Sequence, residues 1–132
     1  MTSLAMGWHV LSLFAIVVAG AVAGCSGSQS VWSVEVKSPD GQWVAKGRSE
    51  KFSGPGNAAV ITSVYLQRAT TGKHEEPILT FSDYRSPVRT RIIPTIGWLT
   101  PTHLEITLSQ HAEPDLQVVK YANIVITVRY PP

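Results

Sequence analysis

Trp32-Ser33-Val34-Glu35-Val36-Lys37-Ser38-Pro39-Asp40-Gly41-Gln42-Trp43-Val44-Ala45 is the stretch that decides the fold. Trp32, Val34 and Val36 alternate with Ser33, Glu35 and Lys37, the period of two that marks a strand with one buried face. Ser38-Pro39-Asp40-Gly41 then supplies a turn. Proline presets φ, aspartate bonds its own backbone, and glycine takes the positive φ that closes the bend. Gln42 to Arg48 returns as a second strand with Trp43 and Ala45 on one face. A β-hairpin is therefore written into these residues by local chemistry alone.

The same grammar repeats towards the C-terminus. Lys51 to Asn57, with Gly54-Pro55-Gly56-Asn57, reads as a loop. Ala58 to Ala69 reads as a longer strand with Val60, Thr62, Val64 and Leu66 facing one way. Thr70-Thr71-Gly72-Lys73 turns it, and Glu76 to Ser82 follows with Leu79 and Phe81 inward. After a loop at Tyr84 to Pro87, residues Val88 to Trp98 alternate again. Pro94 has no amide to give a ladder, which places that strand at an edge or a bulge. Leu99-Thr100-Pro101-Thr102 turns into His103 to Ser109, Gln110 to Asp115 is a polar loop, and Leu116 to Tyr130 closes the chain with Ile124, Ile126 and Val128 inward. The pattern predicts an all-β domain, a single small antiparallel sandwich or barrel of seven or eight strands at residues 31–132. Its expected core includes Trp32, Trp43, Val64, Leu79, Ile96, Trp98, Leu104, Ile106 and Ile126.

Upstream of the hairpin the composition changes completely. Residues 1–24 hold no Asp, Glu, Lys or Arg, and Leu11 to Ala23 is nearly all apolar or glycine. The run ends in Val22-Ala23-Gly24-Cys25, small residues before the only cysteine. An apolar core that stops at small residues is what signal peptidases read, and this junction resembles the lipobox of bacterial lipoproteins. The resemblance implies a signal peptide at 1–24, cleavage before Cys25, and a diacylglycerol thioether on Cys25 with its fatty acyl chains. Membrane lipid, through acylated Cys25, would then be the first partner. Ser26 to Ser30 reads as a flexible tether after the lipidated residue. By the same resemblance, Ser26, where an aspartate would in the enterobacterial pattern favour retention at the inner membrane, implies an outer membrane facing the periplasm in a cell that has one.

Cleavage leaves 108 of the 132 residues, one domain's worth. All 11 Lys and Arg and all 9 Asp and Glu lie after Cys25, for a formal charge of +2. Arg85, Arg89 and Arg91 are the nearest approach to a basic cluster, and no Lys/Arg run occurs. This argues against a nucleic-acid partner, since such domains gather a basic face. With Cys25 acylated no thiol is left for a disulfide or zinc site. No cofactor is expected, and the fold must stand on its core.

Two pieces carry a further resemblance. Ser38 to Ala45 is similar to the hairpin of TolB-type propeller repeats, and Ile96-Gly97-Trp98-Leu99-Thr100-Pro101-Thr102-His103-Leu104-Glu105-Ile106 to its strand-turn-strand. Four blades of about 40 residues do not fit the mature length. The combination more closely resembles small bacterial domains of unknown function, often lipoproteins, and those bring no catalytic residues to transfer.

Several groups have the chemistry for a site. His103 and Glu105 share one strand face, as metal binding or acid–base work requires. His111, Glu113 and Asp115 sit in one loop with imidazole and oxygen donors. His74-Glu75-Glu76 reads as a charged hairpin tip that guards an edge. Trp32, Trp43 and Trp98 read as core, with a sugar-stacking platform as the alternative. Neither G-x-S-x-G, S-x-x-K nor H-E-x-x-H occurs. The expectation is a non-enzymatic envelope lipoprotein that binds an envelope protein or a cell-wall component. Tyr84 and Arg85 are its expected contact residues, because Tyr and Arg are enriched among interface hot spots. The alternatives are an inhibitor or immunity-type lipoprotein, or a hydrolase of envelope material.

Overall fold

The first hairpin closes on Ser38. Its amide donates to the Trp43 carbonyl at 2.9 Å, and its carbonyl accepts the Gly41 amide at 2.9 Å. Its hydroxyl accepts the Trp43 amide at 3.0 Å and donates to Asp40 Oδ1 at 2.6 Å. Gly41 takes φ +71°, as the bend requires. The computed structural model describes residues 27–54, 59–83 and 92–132. Along them run nine strands: β1 (Ser28–Lys37), β2 (Trp43–Phe52), β3 (Ala59–Arg68), β4 (Glu75–Ser82), β5 (Thr95–Thr100), β6 (His103–Thr107), β7 (Leu116–Gln117), β8 (Lys120–Tyr121) and β9 (Ile124–Arg129). They form two sheets, a five-stranded one in the order β1-β2-β3-β4-β7 and a four-stranded one in the order β5-β6-β9-β8. The domain is a small sandwich and not a closed barrel.

The first sheet is an antiparallel meander whose inner face follows the sequence pattern. Ala45 pairs with Val36 and Leu66, and Val64 pairs with Gly47 and Leu79. At Ile78 an extra residue enters β4, so the pairing steps from Val64–Leu79 to Tyr65–Pro77. Such a bulge re-aims a side chain, and consecutive Ile78 and Leu79 are both fully buried. Trp43, Leu66, Phe81, Ile96, Leu104, Ile106, Leu108, Ile124 and Ile126 complete the core between the sheets. Trp32 and Trp98 are half-buried at its margin. Trp98 donates its indole N–H to the Val36 carbonyl at 3.1 Å, tying β5 of one sheet to β1 of the other.

Four expectations need correction. Strand β1 starts at Ser28, so Ser28, Gln29 and Ser30 of the expected tether pair with Phe52, Lys51 and Glu50. For the same reason Lys51 and Phe52 belong to β2 and not to the loop. The expected closing strand from Leu116 to Tyr130 is three strands in two sheets. Leu116 and Gln117 pair with β4, whereas β8 and β9 form a hairpin turning at Ala122 with φ +52°. Finally, β9 runs parallel to β6. Residues 108–123 make the long crossover such a pairing needs, passing through the first sheet on the way. Of the expected strand from Val88 to Trp98, the part before Ile92 lies outside the described residues and Ile92 to Pro94 are not in a strand; β5 begins immediately after Pro94 and is, as expected, an edge strand.

Candidate functional site

The outer face of the first sheet carries the densest set of charged groups described. Alternation places Ser33 and Glu35 of β1, Lys46, Arg48 and Glu50 of β2, and Tyr65 of β3 on that face. Glu75 of β4 stands opposite Gln67 and reaches back across β3. Its carboxylate accepts Arg48 Nη1 at 2.7 Å and Lys46 Nζ at 3.1 Å. The Arg48 guanidinium lies 4.0 Å from the centre of the Tyr65 ring, a cation–π stack. Its buried Nε has no hydrogen-bond partner among the described residues and sits 3.9 Å from Glu50 Oε1. The Arg48 hydrogen bond, opposed by partial burial and reinforced by Lys46, holds the Glu75 carboxyl below its ordinary range.

These side chains wall an open groove of about 290 Å³ between Ser33, Glu35, Lys46, Arg48 and Glu75, floored by Val34 and Gly47. Cations and carboxylates fixed side by side on an aromatic ring suit polar, amide-rich surfaces, where both signs of charge find partners. Counting about 3.3 Å per strand residue from Ser28, the groove stands some 17 to 23 Å up the sandwich. Sequence reasoning missed this site. Lys46 and Arg48 were visible as like charges two apart on one strand face, but Glu75 joins them only through two successive pairings.

The candidates named from sequence lie elsewhere. His103 and Glu105 do share the outer face of the second sheet, but each is engaged by the residue on β9 two positions beyond its parallel register partner. The His103 ring is 2.8 Å from Thr127 Oγ1, and Glu105 accepts Arg129 Nε. The loop candidates part company. His111 stacks on Tyr130, with ring centres 5.2 Å apart and planes 6° from parallel. Together with Glu113 and Pro114 they line an open recess of about 400 Å³. Asp115 instead accepts the Ser82 hydroxyl, and its amide donates to the Thr80 carbonyl. Among the described residues no three His, Cys, Asp or Glu side chains gather around one point.

His74 and Glu76 pair at 2.8 Å at the exposed end of β4, whereas Glu75 between them belongs to the groove. Of the tryptophans, Trp43 is 3% exposed and lies under the Arg68 guanidinium at 4.4 Å. Cys25, Tyr84 and Arg85 lie outside the described residues. Asp83, next to the latter two, accepts the Val60 amide at 2.9 Å and so joins the ends of β3 and β4. In comparisons with known proteins, no family model, no curated protein and no solved structure matches this chain.

Proposed function

We propose that the chain is a lipid-anchored envelope module that works by binding an envelope protein or a wall component. The groove carries this reading: a preformed, concave and doubly charged surface about 20 Å from the strand end at which the chain enters the domain. The acid–base candidates lend it support. His103, Glu105 and Asp115 are each spent on a partner within the fold, an arrangement that stiffens a scaffold more readily than it moves protons. In the bacterial envelope Cys25 would hold the module at the membrane, and in a cell with two membranes on the periplasmic side of the outer one.

The test is partner capture from detergent-solubilised membranes with the lipidated protein as bait. Lys46→Ala combined with Arg48→Ala should weaken capture at least tenfold, the scale of a hot-spot loss of about 1.4 kcal/mol or more. The comparison holds provided the thermal midpoint shows that the domain is folded at the assay temperature. Undiminished capture would remove the groove from the contact surface. Turnover of wall material by the purified domain would overturn the binding reading itself.

A further inference from the structure

The start of β1 and the end of β2 lie side by side. Ser28 pairs with Phe52 and Gln29 with Lys51, and the Ser53 amide donates to the Gly27 carbonyl. The ends of β3 and β4 meet at the same pole, where Ile61 pairs with Ser82. Phe52 is 38% exposed there, a large apolar ring at the rim of the sheet, and Lys51 beside it is exposed. The acids of this pole are turned to partners within the fold. Asp83 takes the Val60 amide, Asp115 takes Ser82, and Glu50 sits by Arg48.

Only Ser26 stands between Cys25 and Gly27, a reach of at most about 7 Å. The headgroup layer on each side of a bilayer is about 5–8 Å deep. A lipidated Cys25 sits at the base of that layer, so Gly27 and Ser28 are held within or just above it. Phe52 is the lateral neighbour of Ser28, about 5 Å away. We infer that the pole formed by Lys51 and Phe52 docks on the lipid surface as a second, protein-borne contact, with the Phe52 ring at the headgroup–acyl boundary and the Lys51 ammonium at lipid phosphate. This inference rests on the lipid-anchor reading of Cys25. An aromatic ring prefers that boundary and a lysine stem reaches out of it to water. The contact sets the sandwich upright, with the Ser38–Gly41 turn farthest from the bilayer.

The chain has one cysteine, and lipidation consumes its thiol, so an introduced cysteine gives a unique label. Phe52→Cys and Lys73→Cys, the latter in the β3–β4 turn at the opposite pole, are made in the full lipidated protein. Each carries a polarity-sensitive fluorophore in phosphatidylcholine vesicles that contain a bromine-bearing lipid quencher. The label at position 52 should shift to the blue and lose emission to the quencher, whereas the label at 73 should behave as in water. A water-like signal at 52 from protein whose intact mass shows the lipid would overturn the docking and leave the anchor standing. A mass without lipid on Cys25 would overturn both. Because the label at 52 replaces the ring, Lys51→Glu with Phe52→Ser, labelled only at Lys73→Cys, provides a check with no label at the docking pole. That variant should let a label at position 73 rotate faster on the vesicle than in the parent, and equal anisotropy would count against the docking.

Discussion

Gly47 occupies the one point on β2 where a side chain cannot stand. A Cβ there would lie 2.6 Å from Trp32 Cη2 and 2.9 Å from Ile96 Cδ1. The Trp32 ring from β1 covers the glycine diagonally and replaces the side chain the strand lacks, a known way of rescuing glycine in a sheet. Gly47→Ala should therefore cost about 1–3 kcal/mol by overpacking, read as a lower midpoint in chemical denaturation. Adding Trp32→Ala should cost less in the Gly47→Ala background than in the parent, because the two changes share one space. Ala122 poses the opposite case. It holds φ +52° at the first position of the two-residue β8–β9 turn, where glycine is favoured. Ala122→Gly should raise stability by about 0.5–1 kcal/mol, as the strain of a left-handed alanine exceeds the extra chain entropy of glycine.

Strands β2 and β4 are not neighbours in the sheet, yet Glu75 couples them across Tyr65 through Arg48 and Lys46. A carboxyl held below its ordinary value of 4.5 stabilises the fold fully above that value and loses its contribution as pH falls through the depressed one. The stability gap between the parent and Glu75→Gln should thus be about 1 kcal/mol near neutrality, the size of two partly exposed ion pairs. It should shrink as pH falls below 4.5 and vanish once pH passes below the depressed value, as melts across about pH 2.5–7 would record. A constant gap over that range would show that packing and not charge carries the effect. This coupling also marks the limit of what alternation reveals. The first hairpin, the faces of β3 and the Pro94 edge were legible because each follows from neighbours in sequence. The bulge at Ile78, the parallel β6–β9 pair and the groove were not, because each depends on which strands meet. Leu116 to Tyr130 has the alternation of one strand, but a positive-φ turn at Ala122 and the pull of β4 divide it.

The two sheets share a continuous apolar core, and a hydrogen bond from Trp98 to the Val36 carbonyl crosses between them. Trp98→Phe should keep most of the ring contact and lose about 1 kcal/mol with the N–H, while Trp98→Ala should cost about 3 kcal/mol. The ratio of the two separates the bond from the packing. No second cysteine exists to tie the sheets together, so the domain should melt at the same temperature with and without reductant. That independence matters for the placement of the whole molecule. A domain with no second cysteine to pair is free to commit its only thiol to a lipid, and the junction Val22-Ala23-Gly24-Cys25 lies three residues before β1. Because a single acyl chain binds membranes only marginally, durable anchoring needs the two chains of a diacylglycerol. Cys25→Ser should accordingly leave a precursor with residues 1–24 attached and no lipid mass, in a domain that melts like the parent. Parent protein whose intact mass still includes residues 1–24 would refute the anchor, and with it the upright stance on the bilayer.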